Sequence, residues 1–241
     1  PLGVVVASVA MMQGVHPVLA LFFSVLAGLL AGAMSGFLHV KLKITPLLSG
    51  ILMMTALYSI NLMIAGGRSN LPLFQEKTLF KMDAVLWIPE AYRSLVVLVL
   101  IAMISIFLVE TFLKTSLGYL MKLLGTNEAM IKDLGHDADQ IKVFALALSN
   151  GIAAFAGGIA ASLNAYFDIS LGTGMVVLGL SSILLGDSLF QKMTDKISLR
   201  VFMGALVYQM IVAFALRLNM PPHLLKLVTV GIFIFALWLD K

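Results

Sequence analysis

The chain has 241 residues, of which 61% are apolar and only 12% charged, about half the charged share of an ordinary soluble domain. A water-soluble globule of this size could not hide so much apolar surface, so a soluble domain, a disordered chain and a nucleic-acid-binding domain are excluded despite a net charge of +4. With no cysteine and four scattered histidines, there is no disulfide framework, thiolate metal site or redox motif, and neither metal nor cofactor is expected in the chain itself.

A bilayer core about 30 Å thick takes roughly 20 helical residues. Apolar runs of that order fall at 17–40, 44–67, 95–113, 143–167, 169–186, 201–216 and 224–239. Residues 1–15 add an eighth, read as the remainder of a span whose beginning was removed by truncation or processing. The expected fold class is all-α: a polytopic transmembrane helix bundle of about eight spans, forming a single domain over 1–241. Only Glu110 and Lys226 are charged within these limits, each near an end where its side chain can snorkel to the interface.

Taken in chain order, the first full span carries Gly28, Gly32 and Gly36 at intervals of four, one small face where a neighbouring helix can approach closely. Thr45-Pro46 reads as an N-cap followed by proline at the first helical position, and Gly66-Gly67 as a stop. The loop over 68–94 holds Pro72, Trp87, Pro89 and Tyr92 and suits a segment lying along the external interface, or a docking surface. Around Tyr166–Gly174 the pattern suggests a broken or re-entrant helix, preceded by the small pair Gly157-Gly158. Pro221-Pro222 separates the last two runs.

Two further patterns bear on topology. Ala20, Leu21, Ser24, Ala31 and Gly32 recur at an offset of 125 as Ala145, Leu146, Ser149, Ala156 and Gly157. On alternating spans these segments run in opposite directions, as in transporters built from inverted repeats. If Lys41 and Lys43 are cytosolic, so are the loops 114–142 and 187–200, and that side carries ten Lys and Arg against six on the other. The positive-inside rule favours this orientation.

Polar residues inside spans are candidates for a translocation path: Thr55, Tyr58, Ser59 and Asn61, then Ser149 and Asn150, then Ser181 and Ser182. Such groups also serve simply to join helices, at about 0.6 kcal/mol each. No paired acids and no nucleophile with a base are visible, so an enzyme is rejected. The lack of a mid-membrane acid or base argues against an ion-coupled secondary transporter, which stays as the alternative together with a channel.

The loop 114–142 is longer than a connection needs and holds eight charges, four of each sign. Thr126 reads as the N-cap of a short helix over 127–134, with Glu128 in its first turn, Lys132 near its end and Gly135 at C′. A charge-balanced helical loop on the cytosolic side suggests a protein partner.

At this loop the sequence resembles the membrane permeases of bacterial ATP-binding-cassette importers, in the branched-chain amino-acid/ribose superfamily. Gly118, Lys122, Leu124-Gly125, Asn127, Ala129, Gly135, Ser149, Gly151, Gly157 and Gly158 occupy the positions that carry the likeness. Leu184-Leu185-Gly186-Asp187-Ser188 is similar to a later family segment, with Asp187 in place of a glycine, and Tyr119 stands where many relatives carry Arg. The segment from Leu42 to Phe74 looks like the tryptophan/tyrosine-type and uncharacterised transport-system permeases.

The resemblance implies a homodimeric permease subunit in the bacterial inner membrane, surrounded by lipid. It implies two cytosolic ATPases and an external binding protein, periplasmic or lipid-anchored, that delivers a small solute, an aromatic amino acid at family level. Because the chain has no G-x-x-x-x-G-K-[ST] loop, ATP and Mg would be bound by the partner ATPase. It also implies that the short helix couples ATPase closure to the spans, through Leu124, Gly125, Asn127, Glu128, Ala129, Lys132 and Gly135.

Overall fold

Backbone groups in hydrocarbon find no water, so an apolar chain closes its hydrogen bonds within helices. Helices accordingly dominate the computed structural model, which describes residues 1–74, 76, 78–82, 85–172, 175–217, 230, 231 and 234. In chain order they are α1 (Leu2–Met12), α2 (Pro17–Leu42), α3 (Pro46–Ile64), α4 (Glu90–Leu113), α5 (Ser116–Thr126), α6 (Glu128–Asp133), α7 (Ala138–Asn164), α8 (Met175–Phe190) and α9 (Ile197–Arg217). The short strands β1 (Asn70–Pro72) and β2 (Tyr166–Asp168) form one antiparallel ribbon.

Of the roughly eight spans expected, five helices among the described residues, α2, α3, α4, α7 and α9, are long and apolar enough to cross a membrane, and α1 and α8 are shorter apolar helices. α1 has 11 residues and begins at the second residue of the sequence. Its Val4, Val5, Ala7 and Met11 are buried. α8 has 16 residues. Most of the last apolar run, 224–239, and Pro221-Pro222 lie outside the described residues.

The break near 166 is not a broken helix. α7 ends at Asn164 because Ala165 takes a left-handed φ of 55°, and the next three residues pair with β1 as Asn70↔Asp168, Leu71↔Phe167 and Pro72↔Tyr166. The amide of Leu73 donates to Ala165 O at 2.8 Å and that of Ile169 to Ser69 O at 3.0 Å, extending the ribbon at both ends. A 3-10 turn over Ile169–Gly172 follows. The loop 68–94, expected to lie along the external interface or to serve as a docking surface, holds the strand β1 and a 3-10 turn over Leu79–Lys81. Leu71, Leu73 and Phe167 point into the core beneath the ribbon, against Val5, Ala7 and Met11 of α1.

The chain groups into two compact units, Pro1–Met103 with Phe112–Leu171, and Ile104–Thr111 with Gly172–Lys241. In the first, α2 and α7 lie antiparallel and in close contact. Gly28 meets Asn150 and Ala154, Gly32 meets Leu146 and Ala147, and Gly36 meets Val143. A Cβ at Gly32 or Gly36 would stand 2.7 Å from the Cα of Ala147 or Val143, so only hydrogen fits. From the other helix Gly158 meets Leu21 and Ser24, while Gly157 meets Val4 of α1. A buried hydrogen bond from Ser24 Oγ to Ala154 O, 2.7 Å, crosses the same seam. The segments repeated at an offset of 125 therefore lie on two antiparallel helices in contact.

This register also sets the ends of the first unit. Gly36 beside Val143 brings Lys41 and Lys43 to the same end as the 114–142 loop, and the ribbon joins 68–94 to the end of α7 at the other. Local signals explain the helix limits. Thr45 Oγ1 accepts from the Leu48 amide at 3.3 Å with Pro46 in the first turn, and Gly66 and Gly67 take φ of 66° and 79° past the end of α3.

The second unit is built on the α8–α9 hairpin. A Cβ at Gly204 would stand 2.7 Å from Gly186 Cα, and one at Gly186 would stand 2.8 Å from the Arg200 carbonyl carbon. Leu185 and Tyr208 are buried between the helices.

Candidate coupling site

Three caps shape the 114–142 loop. Thr115 Oγ1 accepts from the Gly118 amide at 3.3 Å and starts α5. Asn127 Oδ1 accepts from the Met130 amide at 3.2 Å and starts α6. Asp137 Oδ1 accepts from the Asp139 amide at 2.9 Å and starts α7. The loop thus holds two short helices where one was expected. The cap of α6 is Asn127, not Thr126, whose hydroxyl donates back to Leu123 O at 3.0 Å as the last residue of α5. α6 ends in a Schellman turn: the His136 amide donates to Ile131 O at 3.1 Å, the Gly135 amide to Lys132 O at 2.9 Å, and Gly135 takes φ 77°.

These helices close over a small core of their own. Ile131 is fully buried with Ala138 and Ile141, and Leu120, Met121, Leu123 and Leu124 pack around them. Burying one such side chain is worth roughly 1.5–3 kcal/mol, so α6 is held by packing rather than by its six residues of helix. On the rim, Glu128 pairs with Lys142 at 2.9 Å and with Lys132 at 3.3 Å, and Lys142 also reaches Asp139 at 3.2 Å. Hydrogen bonds from Lys142 and Lys132 hold the Glu128 carboxyl below the usual carboxylate range. A depressed carboxyl of this kind supports the loop at neutral pH, and the support is lost as pH falls through the lowered range. The site is exposed, so its worth is small.

The seven coupling candidates separate by what each does. Gly125, Ala129 and Lys132 lie on the surface, and a Cβ added at Gly125 meets nothing within 4 Å. Leu124 faces the loop core, Asn127 is engaged as a cap, Glu128 in the ion network and Gly135 in the turn. Met130 and Leu134, 47% and 56% exposed, were missed. Their spacing of four places both on one outward face of the helix, a signal readable in the sequence. A groove of about 480 Å³ opens between α5 and α7, lined by Leu117, Leu120 and Met121 of α5 and Gln140, Ile141 and Phe144 of α7.

Several of the path candidates are held individually by their own helices. The Thr55, Ser149 and Ser182 hydroxyls and the Asn150 amide each donate to a carbonyl four residues back on their own helix, at 2.7–2.9 Å. Thr55, Tyr58 and Ser59 are exposed on α3, whereas Asn61 is buried with its Oδ1 unpartnered. Ser181 and Ser182 are buried in the second unit. Glu110 does not simply snorkel: its Oε1 accepts from the Ser198 amide at 3.2 Å. Asp187, where the resembling family carries glycine, is matched by Arg200 at 2.9 Å.

Comparison with known proteins follows the same line. The family model described as "Branched-chain amino acid transport system / permease component" matches residues 2–237. The chain is 39% identical over 229 residues to a tyrosine transport system permease protein of Clostridioides difficile (strain R20291), covering 95% of this chain and 75% of that one. It is 32% identical over 221 residues to the uncharacterized protein RP368 of Rickettsia prowazekii (strain Madrid E), covering 90% and 76%. No solved structure matches. With the family match running over almost the whole chain and several apolar spans in place, the chain belongs to the branched-chain amino acid transport system permease family, as a multi-pass protein of the inner membrane.

Proposed function

We propose that the chain is the membrane subunit of an ATP-binding-cassette importer. Two copies form the pathway, cytosolic ATPase subunits drive it, and an external binding protein delivers the solute. The tyrosine permease relative points to an aromatic amino acid as cargo. The observation that carries this reading is the α5–α6 cap: a separately packed, doubly capped pair of short helices in a chain of a transport-permease family. A connection between two spans needs none of this.

The mechanism follows from the cap's construction. A partner can shift the spans only if it contacts the cap differently in two states. α6 offers the exposed side chains of Met130 and Leu134, and Gly125 lets a partner approach the backbone closely. The packed base beneath, Ile131 on Ala138 and Ile141, passes a push on α6 directly to the first turns of α7. α7 is seamed to α2 by glycines, so the two move together.

The described spanning helices carry their Asp, Glu, Lys, Arg and His residues near their ends and so offer no such acid or base at mid-membrane for ion coupling. Uptake of labelled tyrosine by cells expressing the permease with its ATPase and binding protein is therefore expected to survive a protonophore while ATP is maintained. Collapse of uptake with the proton gradient, or full uptake without the ATPase, would make the chain a secondary transporter.

A further inference from the structure

Glu110 lies one turn before the end of α4, half-buried, and its Oε1 accepts from the amide of Ser198, 88 residues on and in the first turn of α9. The first amides of a helix have no partner within it and carry the positive end of its dipole, so a carboxylate there is favoured on both counts. The hydrogen bond fixes the start of one long helix to the end of another.

The same end of α4 is joined to the coupling cap with little slack. The Thr115 amide and hydroxyl both donate to Phe112 O, at 2.9 Å and 2.6 Å. Gly118 lets the first turn of α5 lie directly on α4, where a Cβ would stand 2.6 Å from Leu113 Cα. The Phe112 ring meets Phe144 of α7 at 6.5 Å. On the other side of the bond, α9 is tied to α8 by the Asp187–Arg200 pair and the Gly204–Gly186 contact.

We propose that Glu110 is a positioning residue for coupling: it clamps the first turn of α9 to α4, so that a displacement of the α5–α6 cap reaches the α8–α9 hairpin through α4. The proposal rests on the ATP-driven reading above. Loss of the clamp leaves the cap and its partner intact but disconnects the hairpin, so ATP is hydrolysed without solute movement.

The test uses the assembled transporter, permease with ATPase and binding protein, in lipid vesicles. Glu110→Ala is expected to raise the ATP hydrolysed per solute moved by about fivefold or more, the lower end of ordinary coupling between two sites. Ser198→Pro removes the donor from the other side within the first turn of α9, where proline is tolerated, and is expected to do the same. Glu110→Gln keeps an acceptor oxygen and is expected to stay near the wild-type ratio. Hydrogen exchange of the permease alone reads the clamp without the ATPase: amides 198–201 are expected to exchange faster in Glu110→Ala. An unchanged ratio, or an unchanged exchange rate, overturns the clamp. A wild-type assembly that moves solute without ATP overturns the functional reading first, and the clamp's coupling role with it.

Discussion

Gly125→Glu is expected to abolish ATP-driven transport while membrane insertion and folding are retained. The residue lies in the last turn of α5 on the open side of the cap, and an added Cβ there meets nothing within 4 Å. Replacing glycine in a helix gains up to about 1 kcal/mol of helix propensity. An acid near a helix C-terminus loses roughly 0.3–1 kcal/mol against the dipole, so the fold is left nearly as it was. At the partner's surface the balance differs. A misplaced carboxylate in a close interface costs several kcal/mol, about a hundredfold or more in occupancy. Uptake normalised to the amount of permease in the membrane measures it, and unchanged uptake would remove this surface from the mechanism. Gly135 makes no such test, because its φ of 77° makes any side chain there a folding defect.

Gly32→Leu is expected to have the opposite signature: loss of the folded protein rather than of coupling. Its place on α2 is taken up by the backbone of α7, with Ala147 Cα and Asn150 Cβ each 2.7 Å from where a Cβ would stand. Neighbouring backbone cannot rotate aside as a flexible side chain can, so the helices must part. Overpacking in a well-filled core costs about 1–3 kcal/mol, and an obstruction against backbone lies at or above that upper end. Against a total stability of about 5–15 kcal/mol, that is a large share. The yield of monodisperse protein in detergent is expected to fall about tenfold or more. Gly50→Leu on α3, where an added Cβ meets nothing within 4 Å, is expected to leave it unchanged. Equal yields for both variants would show that the α2–α7 seam is not what holds the unit together.

Features with a local physical cause were legible in the sequence. Glycines every fourth residue identify a helix face whatever it touches, and the structure places Gly28, Gly32 and Gly36 against α7. Thr45-Pro46 and Gly135 state backbone requirements that depend on few neighbours. Features that arise between distant segments were not legible. Tyr166-Phe167-Asp168 reads as the end of an apolar run, and only pairing with Asn70–Pro72 makes it a strand. The apolar α1 reads as part of a span, and its packing against α2, α7 and the ribbon could not be read from the sequence.

The coupling loop divides along the same line. Its charges, its caps and its closing glycine mark a folded cap, but Thr126 and Asn127 are both good capping residues and sequence alone chose the wrong one. The outward pair Met130 and Leu134 was readable from its spacing of four and was missed; the structure shows it exposed while Ile131 faces inward. Polar residues within spans were the least informative. A serine, threonine or asparagine side chain in a helix can bond to a carbonyl on its own preceding turn, as Thr55, Ser149 and Asn150 do, so polarity alone does not mark a pathway.

The central claim, that the α5–α6 cap is where an ATPase docks, is tested most directly by co-purification in detergent. The membrane chain would be expressed with the candidate ATPases of its host, beside a variant in which residues 127–132 are scrambled. The account predicts that one ATPase carrying a phosphate-binding loop is captured at equal stoichiometry by the native chain and lost with the scrambled cap, while both chains remain folded. Capture undiminished by the scrambled cap, or no ATPase bound to a well-folded native chain, would contradict it.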